Sequence, residues 1–317
     1  MIYRSVRRSD LPALEREIRR NFAEEDDRSG YDSVELVRGL NRSLRFPGAL
    51  LWAIRRGLHA SSAYFLVAQE GGELAGTTLL TLASTHAYVS VVMTSPPYRR
   101  RGVARHLLAW AEEIARRRGR PYVVLDVQTT NLPARKLYQS RGYLPLRSLR
   151  WFLHDGPIGE GRDEDMGARA AQEEDLLPLW RLWLASHPEE VRRALFGDGD
   201  RLPRSTASEP FQRAESVSWC LGPVGRPTGY VQSIWLPPLR VGRISSPVFA
   251  PEASPGARRG LIRQAMAWLG EHGAQKVAAE VPRYHEDSVR ELTSLGFHPT
   301  GEIETLCRPL LRGGGSP

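Results

Sequence analysis

The chain has 317 residues, which is long for one compact domain and favours two. With 41% apolar and 25% charged residues, the composition is that of an ordinary folded protein. No apolar run is long enough to span a bilayer, and the first residues contain no apolar signal segment. These features argue against a membrane protein and lead us to expect a cytoplasmic one.

The metal-ligating residue types are few and scattered. Cys220 and Cys307 are the only cysteines, and without a secretion signal we expect them to be buried thiols, not a disulfide. Two cysteines cannot form a zinc site alone, and His59, His86 and His154 show no metal-ligand spacing. We therefore predict no metal site.

Positive charge is concentrated in the first half of the chain. Residues 1–155 hold 25 basic and 15 acidic side chains, a net charge of +10, whereas residues 156–317 hold 19 and 21, a net charge of −2. The first half should therefore attract anions. A phosphorylated small molecule and a nucleic acid are both candidates.

The first half contains a regular succession of predicted elements. Residues 6–14, VRRSDLPAL, indicate a helix start with Asp10 as its cap. Residues 64–82 form two apolar runs around a Gly-rich turn, which predicts a hairpin. A further strand then ends in the loop PPYRRRG. After it come a helix to Gly119, a strand over 122–127, a helix over 131–143 and a last strand with Trp151 and Phe152.

The same succession returns after a Gly- and acid-rich linker at 156–166. The apolar positions of the two long helices match at an offset of 154: Leu107, Leu108, Ala111 and Ile114 in the first half, and Leu261, Ile262, Ala265 and Trp268 in the second. This repeat predicts a duplicated α/β domain.

The loop before the first long helix has the spacing Arg99-x-x-Gly102-x-Ala104. Glycine permits a tight turn, and the first turn of a helix has free N–H groups that can hold a phosphate. Arg99, Arg100, Arg101 and Arg105 could add charge-assisted contacts. Taken alone, the loop is more typical of a solvated basic turn than of an anion site.

A second motif follows the strand VVLDV, with the spacing Asn131-x-x-Ala134-x-x-Leu137-Tyr138-x-x-x-Gly142-Tyr143. Together the two motifs resemble those of the GNAT superfamily of acyl-CoA-dependent N-acetyltransferases, over residues 1–155. The resemblance implies an α/β fold of two tandem GNAT-like domains, each with a mixed, mostly antiparallel sheet flanked by helices. We predict a GNAT domain over 1–155, the linker, and a degenerate copy over 167–317.

The resemblance also implies a cofactor and a set of site residues. Acetyl-CoA would be the co-substrate, its pantetheine arm bonded by the main chain of a splayed strand and its pyrophosphate by the loop. Tyr138 would be the general acid that protonates the departing thiolate. The cofactor-binding residues would be Val92, Met93, Thr94, Arg99, Arg100, Arg101, Gly102, Val103, Ala104, Arg105 and Asn131.

The general base is less well defined. Family members that act on peptide α-amines carry a glutamate in a pattern like L-E-V-x-x-x-N, and this chain has Leu125-Asp126-Val127 before Asn131. Asp126 is therefore the candidate base, although it fits equally well as a polar residue of a half-exposed strand. Alternative bases are Glu73, His86 and Tyr88; Phe46, Leu50 and Trp52 are candidates for lining the acceptor site or for simple packing.

The second half lacks most of these residues. Ala253 stands opposite Arg99, Arg258 opposite Ala104, His285 opposite Asn131 and Leu292 opposite Tyr138, while Glu280 stands opposite Asp126. We expect a degenerate copy that packs against the first, although an altered second CoA site is an alternative.

The predicted reaction is acetyl transfer to a primary amine of a small molecule or peptide. The alternatives are a non-catalytic acyl-CoA sensor or scaffold and, ranked last, an RNA-associated protein. A nucleic-acid partner is not favoured, because a cofactor already explains the arginines. The chain is expected to be a monomer or homodimer.

Overall fold

A computed structural model of the chain describes residues 1–29, 63–158, 167–196, 215–236 and 240–310. In the first half, these residues form β1 Ile2–Ser5, α1 Leu11–Ser29, β2 Ala63–Glu70, β3 Glu73–Leu82, β4 Ala87–Thr94, α2 Val103–Arg117, β5 Tyr122–Gln128, α3 Leu132–Gln139 and β6 Leu144–His154. In the second half they form β7 Ala168–Ala170, α4 Leu176–Ala185, α5 Glu189–Leu195, β8 Glu215–Leu221, β9 Gly229–Leu236, β10 Val241–Ile244, β11 Val248–Phe249, α6 Pro255–Glu271, β12 Lys276–Pro282, α7 Glu286–Ser294 and β13 His298–Pro309.

The start of each half repeats one polar arrangement. Arg4 on β1 donates two hydrogen bonds to Asp10, at 2.7 and 2.8 Å, and Arg169 on β7 donates two to Asp175, at 2.6 and 2.9 Å. Asp10 also accepts a bond from the backbone of Arg7, so it closes the turn before α1 and does not cap the helix itself. This shared detail supports the duplication predicted from the sequence.

Helices cover both faces of the sheet in the first half. On one face, α2 buries the predicted stripe of Leu107, Leu108 and Ala111. On the other face, α1 buries Leu14 and Ile18 in a separate cluster with strands β2–β4. Burying each of the larger side chains stabilises the fold by about 1.5–3 kcal/mol. The mixed, mostly antiparallel sheet with flanking helices confirms the predicted fold class.

The terminal strands of the two halves are exchanged. β5 pairs with β13, with Leu125 opposite Leu306, while β6 pairs with β12, with Trp151 opposite Glu280. Because β6 and β13 also pair with each other, the described strands form one continuous sheet with the path β1-β2-β3-β4-β5-β13-β6-β12-β10-β9-β8-β7, and β11 beside β9. No local motif of the sequence predicts this exchange. The domain boundaries predicted from the sequence, 1–155 and 167–317, remain a prediction.

The prediction of buried thiols without a disulfide is confirmed, since Cys220 and Cys307 are free and buried. Burial raises the pKa of each thiol to about 11. None of the helices in the described ranges is both long and apolar enough to cross a membrane. In the same ranges, no three His, Cys, Asp or Glu side chains are grouped so that they could hold a metal ion.

Candidate active site

A cleft opens between β4 and β5 in the first half. These strands pair in parallel only from Ala87 to Val89, opposite Val123 to Leu125. Beyond Val89, β4 continues to Thr94 beside β3, with a shift of register and a positive φ of 52° at Val91. The bulge turns β4 away from β5, so Val92, Met93 and Thr94 present main-chain groups to the cleft without a strand partner on the β5 side in the described structure.

The loop that follows β4 leads into the start of α2. Arg100 and Gly102 have positive φ angles of 63° and 80°, and the helix begins at Val103. The first bond within the helix runs from the His106 N–H to the Gly102 carbonyl, at 3.1 Å. No side chain caps this end among the described residues. The amides of the first turn therefore remain available to an anion, assisted by the helix dipole.

Four exposed arginines surround this helix start. Arg99 lies 3.3 Å from Asn21 of α1, and Arg105 lies 3.2 Å from Ser140 at the end of α3. Arg101 forms an ion pair of 2.7 Å with Glu70, so part of its charge is already compensated. The arrangement favours a polyanion at the helix start and leaves Arg99, Arg100 and Arg105 as the better candidates for its contacts.

Asn131 and Tyr138 lie at the two ends of α3. Asn131 is its N-cap, because its Oδ1 accepts a bond of 3.2 Å from the Ala134 N–H. Capping uses the carbonyl oxygen and leaves the side-chain N–H groups as donors for a ligand. Tyr138 is only 5% exposed and belongs to the buried cluster that includes Val103, with Val92 packed against it. The structure thus brings Tyr138, Val92 of β4 and the start of α2 to one face of the sheet.

Asp126 lies at the mouth of the cleft, one residue beyond the last position at which β5 pairs with β4. Its neighbours Leu125 and Val127 belong to the α2 cluster, so alternation along the strand places Asp126 on the opposite face. Its carboxylate accepts hydrogen bonds from Tyr88, at 2.7 Å, and from Thr305, at 2.6 Å. A candidate acid and a candidate base therefore approach the cleft from opposite faces.

The alternative bases have different surroundings. The Tyr88 hydroxyl donates a hydrogen bond to Asp126, which makes it a partner of that carboxylate. His86 is packed at the start of β4, where burial lowers its pKa to about 4. Glu73 is exposed at the β2–β3 turn, opposite Glu70. The predicted pocket residues Phe46, Leu50 and Trp52, like His59, lie outside the described residues.

The corresponding region of the second half is occupied by the protein's own side chains. The N-cap of α6 is Ser254, which accepts a bond from the Ala257 N–H at 3.3 Å. Arg258 is only 8% exposed, donates to the Ala253 carbonyl at 2.8 Å and pairs with Asp287 at 2.7 Å.

The position of Asn131 is taken by a histidine in that half. His285 lies 2.8 Å from the Ser246 hydroxyl, which joins the segment after β10 to the start of α7. A side-chain hydrogen bond between the segment after β10 and the start of α7 thus occupies the region that corresponds to the open cleft of the first half. The residue differences between the two halves predicted the loss of the site in the second half. They did not predict that the Arg258 side chain is buried there.

Three residues near the cleft were not predicted from the sequence. Asn21 contacts both Arg99 and the Met93 sulfur, and Thr305 and Arg147 continue the hydrogen bonding of Asp126. Thr305 is separated from Asp126 by 179 positions, so no local motif could have indicated the contact.

Comparison with known proteins bears on the family of this chain. Residues 31–143 match the sequence pattern described as the Acetyltransferase (GNAT) family. The uncharacterized N-acetyltransferase YsnE of Bacillus subtilis (strain 168) is 34% identical over 126 residues, which cover 37% of this chain and 82% of that protein. NAA20 of Arabidopsis thaliana, the catalytic subunit of an N-terminal acetyltransferase B complex, is 34% identical over 103 residues, or 31% of this chain; the match spans 56% of the length of that relative.

Among solved structures, a tandem GNAT protein from the clavulanic acid biosynthesis pathway, determined without acetyl-CoA, has a TM-score of 0.60. The likeness covers 99% of both chains at 18% identity, which supports the tandem fold. Family pattern, bacterial relative and fold agree, and the chain belongs to the GNAT family of acetyltransferases.

Proposed function

We propose that this chain is an acetyl-CoA-dependent N-acetyltransferase that acts on a primary amine of a small molecule or peptide. The observation that carries the proposal is the cleft between β4 and β5, which opens beside an uncapped helix start surrounded by arginines. A diphosphate fits the first turn of α2, and the amide groups of pantetheine fit the edge of β4 at Val92, Met93 and Thr94 that faces β5 without pairing to it.

In this proposal, different groups of the protein bind different parts of the cofactor. The amides of Gly102, Val103 and Ala104, with Arg99, Arg100, Arg101 and Arg105, hold the diphosphate, and the side-chain amide of Asn131 bonds the pantetheine arm. CoA supplies the acetyl group as a thioester. Main-chain N–H groups of β4 polarise its carbonyl, as donors aimed at a developing oxyanion do.

The reaction proceeds by direct attack in a ternary complex. Asp126 takes a proton from the incoming ammonium, and the free amine nitrogen attacks the thioester carbonyl carbon. As the C–N bond forms and the C–S bond breaks, Tyr138 gives its proton to the departing sulfur. The attacking nitrogen loses a second proton to solvent, Asp126 releases its proton to solvent, and solvent restores the phenol of Tyr138. The products are an amide, the CoA thiol and one proton. In this proposal the acid and the base act from opposite faces of the sheet, so each can reach its own reacting atom.

The second half binds no CoA in this proposal and serves to complete the first. Its helix start is capped by Ser254, and Arg258 and His285 fill the region of the lost cleft. A cytoplasmic location and a monomeric or homodimeric state, both expected from the sequence, stay predictions.

The test is a measurement of CoA release and of acetylated product over a panel of primary amines. Peptide α-amines, aminoglycosides, polyamines and amino acids form the panel, and mass spectrometry identifies the product. Turnover with one class supports the proposal. Tight binding of acetyl-CoA without turnover on any class would favour the sensor or scaffold instead, and retention on RNA with a steep salt dependence at saturating acetyl-CoA would favour an RNA-associated role.

A further inference from the structure

The Asp126 carboxylate is held from across the boundary between the two halves. Thr305 lies directly opposite Asp126 in the pairing of β5 with β13, and its hydroxyl oxygen is 2.6 Å from Asp126 Oδ1. Thr305 is 1% exposed, so water cannot substitute for it easily. This short contact joins the cleft of the first half to the last strand of the second.

A third residue extends this hydrogen bond. Arg147 lies opposite Thr305 in the pairing of β13 with β6, and its Nε is 3.3 Å from the Thr305 hydroxyl. A guanidinium can only donate and a carboxylate can only accept, so the hydroxyl accepts from Arg147 and directs its single proton to Asp126. The order of donation therefore runs from Arg147 through Thr305 to the carboxylate.

The other carboxylate oxygen has its own donor. The Tyr88 hydroxyl is 2.7 Å from Asp126 Oδ2. A carboxylate has about four acceptor positions. One hydroxyl on each oxygen therefore fixes the side-chain rotamer and leaves positions free for an ammonium group at the cleft.

The same scheme exists in the second half. Glu280, the counterpart of Asp126, lies opposite Trp151 of the exchanged strand β6, and the indole N–H donates to its carboxylate at 3.2 Å. Strand exchange thus gives each of these two carboxylates a donor from the other half. Of the two, only Asp126 lies beside a cleft that remains open.

We propose that Thr305, carried by the terminal strand of the second half, is a positioning residue for acetyl transfer in the first half. It holds the Asp126 carboxylate in the orientation that receives the proton of the acceptor amine. The inference rests on the proposed function and gives the second half a role in catalysis, beyond that of a packing partner.

The experiment compares five variants with the wild type, using the amine of the panel that is turned over fastest. Thr305→Val removes the hydroxyl at nearly constant volume, and Thr305→Ser keeps it. Asp126→Asn and the double variant complete a double-mutant cycle. Thr293→Val is the matched control, because Thr293 is exposed on α7 and bonds only its own helix at 2.8 Å. For each variant, kcat, the KM for acetyl-CoA and the melting temperature are measured.

The expected result is a loss in kcat of about ten-fold or more for Thr305→Val, with the KM for acetyl-CoA changed less than about two-fold. Thr305→Ser should stay within about three-fold of the wild type, and Thr293→Val should equal it. The decisive comparison is the double variant, which should be no slower than Asp126→Asn alone, since Thr305 acts only through that carboxylate. A merely structural role for Thr305 would give losses that multiply.

Failures of the two proposals can be told apart. If the wild type acetylates no amine, the proposed function is wrong and the inference falls with it. If Asp126→Asn is slow but Thr305→Val matches the wild type, or if the two losses multiply, only the inference is overturned. Full activity of Asp126→Asn would remove Asp126 as the base and Thr305 as its positioning residue, while leaving an acetyltransferase.

Discussion

Glu112 on α2 and Arg308 on β13 form an ion pair between residues 196 positions apart in the chain. The same buried carboxylate also accepts hydrogen bonds from Arg141, at 2.9 Å, and from the Tyr143 hydroxyl, at 3.1 Å. Arg141 and Tyr143 precede β6, the strand that leaves the first half, and Arg308 lies on the strand that enters it. Glu112 therefore anchors both sides of the exchange.

Glu112→Gln should destabilise the fold strongly. The substitution removes the charge that two arginines share, and breaking a buried ion pair from one side costs about 3–5 kcal/mol. Urea unfolding measures the change in the free energy of unfolding. The matched control is Glu113→Gln: Glu113 pairs with Arg116 and Arg117 on the exposed face of the same helix, so little change is expected. Equal effects of the two substitutions would show that the anchor is unimportant.

Tyr138→Phe should lower kcat by about 10²–10⁴-fold and leave the affinity for acetyl-CoA unchanged. The phenol proton is needed only when the C–S bond breaks, whereas the ring packs in the same way with or without the hydroxyl.

Tyr143→Phe is the control for this variant. The rings of Tyr138 and Tyr143 are 5.9 Å apart, but the Tyr143 hydroxyl donates to Glu112. We expect lower thermal stability for this variant and an unaltered kcat at a temperature where it stays folded. Unchanged turnover in Tyr138→Phe would rule out its role as the acid.

One acetyl-CoA should bind per chain, at the start of α2. Isothermal titration calorimetry gives the stoichiometry. Ala104→Glu places a carboxylate in the first turn of that helix, where it competes with the diphosphate, and we expect the Kd to rise about ten-fold or more. Ala257→Glu makes the same change in the first turn of α6 and should leave the Kd as it is. A stoichiometry of two, or a weaker Kd only in Ala257→Glu, would contradict this assignment.

Stability should fall as the pH drops from 6.5 towards 5. Burial lowers the pKa of His86 to about 4 and that of His187 to about 3, whereas an unfolded histidine has a pKa of about 6.5. In this window the unfolded chain binds protons that the folded chain does not. Each histidine therefore lowers the free energy of unfolding by about 1.4 kcal/mol per pH unit, with no such loss above about pH 6.5.

Urea unfolding at several pH values tests this sign. For His86→Gln and for His187→Gln, the free energy of unfolding should change less steeply with pH than in the wild type. The difference in slope should correspond to about one bound proton. A slope identical to that of the wild type in both variants would show that neither histidine is responsible.

Local patterns were sufficient to predict the long helix and the short helix after it in each half, the hairpin and the turn at Gly102, and two motifs carried the resemblance to the family, whereas α5 was not predicted. Helical periodicity, a glycine at positive φ and a helix start rich in arginine depend on residues that are near in sequence. Such features follow from the conformations available to a few consecutive residues. Asp126 and its role were instead proposed from the resemblance of Leu125-Asp126-Val127, before Asn131, to a family pattern.

The partner of each terminal strand could not be read from the chain. Main-chain hydrogen bonds of β6 would be equally good with β5 or with β12, because the two halves are copies and present similar edges. The exchanged arrangement brings together side chains of the two halves: Glu112 pairs with Arg308, and Thr305 contacts Asp126. These contacts join residues more than 150 positions apart, so they exist only once both halves have folded together.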